Sequence, residues 1–244
     1  MNDLRFYCAG SNRALYYTAA FLMEEGADFL PYPDHTVTHL LLPVPSFEKD
    51  GSIKGGGDLN EILTNLPSSV TVIGGNLNRP ELDGYEIWDL LEDPRYLARN
   101  ACITAYCTLE LALSKLPVTL EKCPVLIIGW GRIGKCLAKL FHSLGACVTV
   151  AARKESRRVM IDALGYKSST IEAIRTENYR LIINTVPAMV VPFAPGTGLK
   201  IDLASTPGIA GRDILQARGL PGLLAPESSG ELIAQTIIQW IKEK

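Results

Sequence analysis

The sequence predicts an α/β protein with two domains, and three observations lead to this class. Short apolar segments of strand length alternate with amphipathic helical segments along most of the chain. One apolar segment is followed by a glycine-rich turn that opens a helix. The length of 244 residues suits two small domains with this repeated pattern. We therefore expect an N-terminal domain in 1–92, a helical bridge in 93–117, a second domain in 118–226, and a C-terminal helix in 227–244 that packs back on the body.

The composition argues against several classes of partner. The formal net charge is −2 and no basic block occurs, so neither nucleic acid nor an anionic membrane is an expected partner. No apolar segment reaches the length of a membrane span, and Asp3 and Arg5 interrupt what would be a signal-peptide core, which favours a cytoplasmic protein. The six cysteines and three histidines are not spaced as metal ligands. We expect no metal, and cysteines that act as small buried apolar residues.

The first domain begins with a strand, a turn and a helix. Leu4–Cys8 are typical of a buried strand, and Leu15 and Leu22 mark the apolar face of the helix that follows. The turn between them carries Asn12 and Arg13, at the strand end where a parallel sheet presents its ligand-binding loops. These two residues either contact an anionic substrate or form a helix cap with a solvated arginine.

Three further strands are predicted in this domain, at His39–Leu42, Val70–Ile73 and Tyr85–Trp88. Strands that alternate with helices in this way indicate a flavodoxin-like domain. Asn76 and Arg79 follow the second of these strands, so they join Asn12 and Arg13 as candidate substrate-binding residues.

A glycine-rich and charged segment, Ser46–Asp58, separates the predicted strand His39–Leu42 from a short helix at Leu59–Leu63. Its glycine triplet is not closely preceded by a strand and is not followed by a P-loop lysine. We therefore expect a flexible lid or a plain linker.

The helical bridge starts at Asp93 and Pro94, an aspartate cap followed by a proline at the first helical position. Thr104 is expected to cap a second helix, which ends before Pro117.

The second domain carries the strongest motif in the chain. Val125–Ile128 are typical of a buried parallel strand, the turn Gly129–Gly134 matches G-x-G-x-x-G, and an amphipathic helix and another strand follow. In this context the motif is the dinucleotide fingerprint of a Rossmann fold, a doubly wound parallel sheet. The alternative is a glycine turn without a ligand. The candidate cofactor-binding residues of the turn are Gly129, Gly131, Arg132, Ile133 and Gly134.

Later elements complete this domain. We expect a helix across Gly165–Glu177, strands at Arg180–Ile183 and Leu199–Leu203, a short strand at Gly222–Ala225 and a terminal helix opened by a capping box at Ser228–Glu231. The polar loops after the first two of these strands should line the nicotinamide half of the site. Their candidate residues are Asn184, Thr185, Val186, Pro187, Leu203, Ala204 and Ser205.

The position after the second Rossmann strand predicts the type of dinucleotide. NAD-binding enzymes usually place a carboxylate there, but this chain has Arg153 and Lys154, followed by Arg157 and Arg158. Arginine suits a phosphate fork, so we expect NADP rather than NAD. The alternative is a solvated charged segment at a helix start, with NAD held by weak ribose contacts.

Several sequence blocks resemble the A subunit of dipicolinate synthase. They are GWGRIG (129–134), AAR (151–153), INTVP (183–187), IDLASTPG (201–208) and GLPGLLAPESSGELIA (219–234), and more faintly LLLPVP (40–45) and ITAYCTLELAL (103–113). The resemblance implies oxidation of dihydrodipicolinate to pyridine-2,6-dicarboxylate by hydride transfer to NADP, in the sporulation branch of the lysine pathway. It also implies three kinds of partner: a small dicarboxylate substrate, further copies of the chain and a flavoprotein-like second subunit.

One segment departs from the family pattern. The family's Thr-Ala-Glu-Gly segment reads Thr104-Ala105-Tyr106-Cys107 here, so a role of that glutamate is either lost or moved to Glu110. Thr104 and Ser205 are the catalytic candidates, and Glu227 is a further possible proton acceptor.

Two other functions fit the same two-domain plan. One is another NADP-dependent reductase of the 2-hydroxyacid or shikimate type, although a 2-hydroxyacid dehydrogenase needs a late catalytic histidine and none follows His142. The other is a cofactor-binding subunit that senses NADP or supports a partner without catalysing.

Overall fold

The computed structural model describes residues 4–244, which form two compact units. Unit 1 contains the residues up to Asn100 together with Pro221–Lys244, and unit 2 contains Ala101–Leu220. Each unit is built on its own parallel sheet, so the predicted α/β class with two parallel sheets is confirmed. Within residues 4–244, no helix is both long enough and apolar enough to span a bilayer.

The helices in chain order are α1 (Arg13–Glu24), α2 (Leu59–Thr64), α3 (Pro94–Leu113), α4 (Arg132–Ser143), α5 (Glu155–Ala163), α6 (Leu220–Leu224) and α7 (Pro226–Glu243).

The sheet of unit 1 contains β1 (Arg5–Cys8), β2 (Asp28–Phe29), β3 (His39–Leu41), β4 (Thr71–Gly74) and β5 (Glu86–Asp89). All pairs are parallel and the order is β2-β1-β3-β4-β5, which is the flavodoxin-like order. Every residue of β3 and β4 is buried, as expected for central strands that are covered on both faces. The two-residue edge strand β2 was not predicted.

Helices α1 and α7 of unit 1 pack closely. The Thr18 hydroxyl donates to the carbonyl of Gly230 over 3.3 Å and to that of Ala14 over 2.9 Å. A Cβ atom on Gly230 would lie 2.6 Å from the Ala14 carbonyl oxygen, so a side chain at this position would force the helices apart. The glycine therefore permits the contact through which α7 completes unit 1.

Asp93 caps α3 as predicted and also holds α7. Its carboxylate accepts from the backbone N–H groups of Arg95 and Tyr96, at 2.6 and 2.9 Å, and from Trp240 Nε1 at 3.0 Å. Burial raises the pKa of this carboxyl, but the hydrogen bonds donated to it outweigh burial and leave the pKa lowered.

The predicted break in the bridge is wrong, because α3 is one continuous helix of 20 residues. Thr104 lies inside it, and its carbonyl accepts the hydroxyl of Thr108 at 2.7 Å, as in a helix interior. Ala101 and Ala105 are almost fully buried on either side of this position. Packing of this continuous apolar stripe outweighs the capping preference of a threonine.

The sheet of unit 2 contains β6 (Pro124–Ile128), β7 (Cys147–Ala151), β8 (Lys167–Ser169), β9 (Leu181–Asn184), β10 (Leu199–Asp202) and β11 (Ile214–Gln216). The order is β11-β10-β9-β6-β7-β8, again with all pairs parallel. If the strands β6 to β11 are numbered 1 to 6 and the sheet is read from β8, the order is 3-2-1-4-5-6, which is the Rossmann order. The strand order reverses between β6 and β9, and this is the switch point. The predicted strand, glycine turn, helix and strand correspond to β6, α4 and β7.

In the second half of unit 2 one prediction is wrong and one strand was not predicted. No helix covers Gly165–Glu177: β8 pairs with β7 there, and a short 3-10 turn occupies Thr176–Asn178. The Asp162 carboxylate at the end of α5 accepts the backbone N–H and hydroxyl of Ser168, at 3.0 and 2.8 Å, which directs this polar segment into the sheet. The edge strand β11 was missed altogether.

The end of the chain is more helical than predicted. The expected strand at Gly222–Ala225 is replaced by α6 and the turn after it, and α7 begins at Pro226 rather than at a capping box starting with Ser228. Proline is well suited to the first helical position because its φ is already helical and its missing N–H is not needed there. Ser228, the capping residue of the expected box, is therefore inside α7 and exposed.

Candidate functional site

The glycine turn after β6 has the geometry required by a dinucleotide-binding loop. Gly129 has a φ of +106°, and a Cβ atom there would lie 2.4 Å from Thr185 Oγ1. A Cβ atom on Gly134 would lie 2.2 Å from the Gly129 carbonyl oxygen, so this glycine allows α4 to pack against the turn. Gly131 differs, because a Cβ atom there would meet no protein atom within 4 Å. Two glycines therefore serve protein packing, whereas the third leaves an open approach to the backbone.

That open approach lies at the start of α4. Gly131 is the N-cap residue of this 12-residue helix, and Arg132 beside it is exposed. The first N–H groups of an α-helix have no intrahelical acceptor, and the helix dipole favours a negative charge there. The turn therefore fits a pyrophosphate, with Gly131, Arg132 and Ile133 nearest to it.

A cavity of about 430 Å³ opens beside the turn. Its basic side is formed by Arg153, Lys154 and Arg157, which follow β7, and no carboxylate is among its described lining residues. Ala151 ends β7 and Ala152 follows it, so no carboxylate occupies the position from which an acidic side chain would accept from ribose hydroxyls. The remaining lining residues are Gly129, Trp130, Ile171, Val186 and Val190.

Arg158 has a different role from its basic neighbours. Its Nη1 donates to the carbonyl oxygens of Ala152 and Arg153, at 2.9 and 2.6 Å. The guanidinium thus fixes the path of the backbone that presents Arg153 and Lys154 to the cavity.

Asn184, a predicted cofactor contact, is a structural residue. Its side chain is fully buried, and its Nδ2 donates to Asp202 Oδ1 at 2.8 Å and to the Val186 carbonyl at 3.0 Å, while its Oδ1 accepts from Val186 N at 3.0 Å. Both the donor and acceptor groups of the amide are used within the protein. These hydrogen bonds shape the loop after β9, and the predicted contact of Asn184 with a cofactor stays a prediction.

Asp202 is an organising residue that the sequence reasoning did not single out. One carboxylate oxygen accepts from Asn184 Nδ2 and from Ala204 N at 3.1 Å, and the other accepts from Gly208 N at 2.7 Å and Ile209 N at 3.3 Å. A single buried carboxylate thus joins the loops after β9 and β10. Asp202 is the last residue of β10, and a carboxylate inside a predicted strand was the sequence signal for it.

The other predicted residues of these two loops differ in accessibility. Thr185 donates through its hydroxyl to the Ile128 carbonyl at 2.9 Å, which ties the loop to the end of β6. Val186 lines the cavity and Pro187 is exposed. After β10, Leu203 is half-buried, Ala204 is buried and Ser205 is exposed.

Two of the substrate candidates of unit 1 already bind other protein groups through their side chains, and the other two are exposed. Asn12 is the N-cap of α1 and accepts from Leu15 N at 2.7 Å, while Arg13 beside it is exposed. Asn76 is exposed and has a left-handed φ of 62°. Arg79 is engaged: it pairs with Glu81 at 2.5 Å, donates to the Gly51 carbonyl at 2.7 Å and lies 4.2 Å from the centroid of the Phe47 ring.

The glycine-rich segment Ser46–Asp58 is attached to the first turn of unit 1. The Lys54 carbonyl accepts from Ser11 N at 3.2 Å, and the Gly55 carbonyl accepts the Ser11 hydroxyl at 3.2 Å. Ile53 is buried beneath it at 2% exposure. The segment predicted as a lid or linker therefore covers the turn that carries Ser11 and Asn12.

The catalytic candidates occupy contrasting positions in unit 2. Thr104 is buried in α3, and Ser205 is exposed after β10. Tyr106 is exposed, and Cys107 is buried, which raises the pKa of its thiol. Among residues 4–244 no cluster of metal ligands occurs.

The flavodoxin-like sheet, the Rossmann sheet and the glycine turn together define a two-domain protein with the fold of NAD(P)-dependent dehydrogenases. The comparisons with known proteins agree with this class and confirm the resemblance to the A subunit of dipicolinate synthase. That protein from Bacillus subtilis (strain 168) is 30% identical over an alignment of 160 residues that covers 59% of this chain and 54% of the relative. The match thus spans about half the length of the curated relative. No family model matches the chain.

Solved structures extend the likeness of fold to nearly the whole chain. The A subunit of dipicolinate synthase from Bacillus halodurans has a TM-score of 0.85 and 23% identity, with 98% of both chains covered. Its counterpart from Bacillus subtilis has a TM-score of 0.81 and 22% identity, covering 100% of this chain and 97% of that one. A transhydrogenase from Sinorhizobium meliloti has a TM-score of 0.66 and 12% identity, covering 98% and 93%. At these identities the structures establish the shared fold.

Proposed function

We propose that this chain is the dehydrogenase-type subunit of a dipicolinate synthase, an NADP-dependent oxidoreductase that converts dihydrodipicolinate to dipicolinate. The observation that carries the cofactor assignment is the cavity beside the glycine turn, with Arg153, Lys154 and Arg157 on its lining and no carboxylate among the described lining residues. The substrate assignment rests on the resemblance in sequence to the dipicolinate synthase of Bacillus subtilis.

The glycine turn and the cavity beside it suit different parts of NADP. The N-terminus of α4 and the open side of Gly131 suit the pyrophosphate. The cations after β7 suit a 2′-phosphate, and the guanidinium of Arg153 can donate two parallel hydrogen bonds to it. Arg158 holds the carbonyls of this loop, so the cations are positioned before a ligand arrives.

The reaction requires little covalent chemistry from the protein. Bound NADP supplies the hydride acceptor, and the substrate ring gives up a hydride and a proton to become an aromatic pyridine. The residues of the chain would hold a dianion in the correct orientation, exclude water and accept the proton. Arg13 and Asn76 of unit 1 are exposed candidates for the carboxylates, with Asn12 as a capping neighbour and Arg79 as a supporting residue. Thr104 and Ser205 remain the candidates for contact with the reacting atoms.

The resemblance also supports the biological setting of the proposal. A flavoprotein-like second subunit is the proposed partner, further copies of the chain form the proposed homo-oligomer, and the activity belongs to the cytoplasm of a sporulating cell. Size-exclusion chromatography with light scattering, with and without the second subunit, tests both assemblies.

The cofactor assignment is tested by titrating the purified chain with NADPH and with NADH and following nicotinamide fluorescence. Loss of a charged hydrogen bond costs about 1.5–3 kcal/mol, so Arg153→Ala should weaken NADPH binding by about 10- to 150-fold. NADH binding should stay within about twofold, because NADH lacks the 2′-phosphate. Arg212→Ala, at an exposed arginine outside the cavity lining, is the matched control. Equal affinity of the unmodified chain for NADPH and NADH would contradict the assignment.

The substrate assignment is tested by following the absorbance of dipicolinate with dihydrodipicolinate and NADP as reactants. Arg13→Ala should raise KM through loss of a carboxylate contact, whereas exposed Arg5→Ala should not. Unchanged kinetics of the Arg13 variant would remove this residue from the site.

A second candidate function is a cofactor-binding subunit without activity of its own. The observation that favours it is Tyr106-Cys107 in place of the family's Glu-Gly, with Tyr106 exposed and Cys107 buried. The assay run with and without the flavoprotein-like subunit distinguishes the two functions. NADP binding without dipicolinate formation in either assay supports the second.

A further inference from the structure

Two cysteines that are far apart in the sequence meet in unit 2. Cys102 in α3 and Cys136 in α4 are 34 positions apart, yet their sulfur atoms lie 3.3 Å from each other. All six cysteines of the chain are free thiols. The expectation that the cysteines are small buried apolar residues does not describe this pair, because Cys102 is exposed and Cys136 is half-buried.

The two thiols are held by regular helices rather than by loops. Cys102 lies within the 20 residues of α3, and Cys136 lies in the second turn of α4, between buried Gly134 and fully buried Leu137. Backbone hydrogen bonds on both sides of each cysteine fix where its Cβ atom points. The distance between the sulfur atoms therefore depends on side-chain rotation and a small adjustment of two helices.

The surroundings make the two thiols chemically unequal. Burial, together with Cys102 beside it, raises the pKa of Cys136 to about 11, and Lys139 on the same helix acts in the opposite direction. The thiolate is the attacking species in disulfide chemistry, so its raised pKa leaves little of the Cys136 thiol in the attacking form at neutral pH. Cys102 is exposed and is the first of the pair that a reagent in solution can reach.

We propose that Cys102 and Cys136 form a reversible disulfide that joins α3 to α4, the helix that follows the glycine turn. The oxidant is a small-molecule disulfide. The Cys102 thiolate attacks one of its sulfur atoms, a mixed disulfide forms and one small thiolate leaves. The Cys136 thiol then loses its proton and attacks the Cys102 sulfur, and the second small thiolate leaves. Two protein thiols are oxidised by two electrons, and one small disulfide is reduced to two thiols.

The other four cysteines provide internal comparisons. Cys147 is also exposed, so it can form a mixed disulfide with the reagent. Cys107 and Cys123 are buried, and burial raises the pKa of Cys8 to about 12, which makes these three slow to react. A disulfide between Cys102 and Cys136 is therefore expected to form ahead of any other link.

The test uses the full chain in buffers of reduced and oxidised glutathione, quenched with an alkylating reagent and digested for mass spectrometry. We expect one peptide pair linked through Cys102 and Cys136, lighter by two hydrogen atoms and reverting fully with dithiothreitol. Cys147→Ser should leave this pair unchanged. Cys136→Ser should stop the reaction at a mixed disulfide on Cys102, and Cys102→Ser should leave Cys136 largely unmodified at neutral pH.

The second step has its own kinetic signature. Burial, the largest cause of the raised pKa of Cys136, is still present in the mixed disulfide, so the rate of ring closure should rise steadily as the pH increases from 7 to 9. Mixed disulfides on Cys102 and Cys147 without the linked peptide would overturn the proposal, as would ring closure that is independent of pH. Because these readouts require no nucleotide and no substrate, their outcome is independent of the proposed enzymatic activity.

Discussion

Replacing Gly131 by alanine should weaken dinucleotide binding and leave the fold intact. Gly131 has a φ of −86° and a ψ of −168°, which alanine adopts freely, and an added Cβ atom meets no protein atom within 4 Å. Alanine is a poorer N-cap than glycine, but it also reduces the entropy of the unfolded chain. These two effects are each about 0.5–1 kcal/mol and oppose each other. The free energy of unfolding should therefore change by less than about 1 kcal/mol.

The effect on binding should be larger, because the methyl group would occupy the space through which a pyrophosphate approaches the backbone. Overpacking a close contact costs about 1–3 kcal/mol, which corresponds to about 5- to 150-fold in Kd. Fluorescence titration with NADPH measures this change, and urea denaturation of the same preparations measures stability.

Two other glycines serve as matched controls for this experiment. Gly222→Ala in α6 also places a Cβ atom in open space, outside the cavity lining; it should leave NADPH binding unchanged and raise stability by up to about 1 kcal/mol, because alanine is a better helix former than glycine. Gly134→Ala should lower stability, since its Cβ atom would lie 2.2 Å from the Gly129 carbonyl oxygen. If Gly131→Ala binds NADPH within about twofold of the unmodified chain, Gly131 does not face the pyrophosphate and the reasoning is refuted.

Two further predictions concern buried polar groups. Asp202→Asn should lower the free energy of unfolding by about 3 kcal/mol, because an amide NH₂ would face two of the four N–H donors that now meet the carboxylate. Asp162→Asn, at an exposed carboxylate, should cost less than about 1 kcal/mol in the same urea titration, and equal effects would contradict the structural role of Asp202. Burial, aided by Lys244 and opposed by Glu86, lowers the pKa of His39 from 6.5 to about 4. The unfolded chain therefore binds a proton between pH 6.5 and 4 that the folded chain does not, and stability is lost as the pH falls through this window, by up to about 3 kcal/mol. His39→Phe keeps a ring next to Phe6 and should lose less stability between pH 7 and 4 than the unmodified chain; parallel pH profiles would refute the assignment.

The parts of the fold predicted correctly from the sequence are those where a local pattern and the tertiary structure agree. Val125–Ile128 are apolar without interruption and become the centre of a parallel sheet. Gly129 and Gly134 occupy positions where the structure leaves no space for a Cβ atom, so the motif and the packing express the same constraint. Asp93 and Pro94 likewise begin a helix because both favour its first turn.

The failures occur where a distant partner decides the local conformation. Lys167–Ser169 have little strand character, but β7 supplies a hydrogen-bonding edge and they form β8. Asn184 pairs with Asp202, 18 positions away, and this pairing could not be inferred from spacing. The contact between Cys102 and Cys136 is hidden for the same reason, because no sequence pattern indicates that these positions on α3 and α4 meet.

The close contact of α7 with α1 has a consequence for the order in which the protein folds. Unit 2 is one continuous stretch of chain, Ala101–Leu220, whereas unit 1 needs both its early strands and the late helix Pro226–Glu243. During synthesis the Rossmann unit can therefore close while unit 1 still exposes the face of α1 that Gly230 later covers. The contact between Thr18 and Gly230 spans 212 positions, and loop closure over such a separation is slow. We therefore expect unit 1, whose strands are synthesised first, to complete its folding last, when α7 packs on α1.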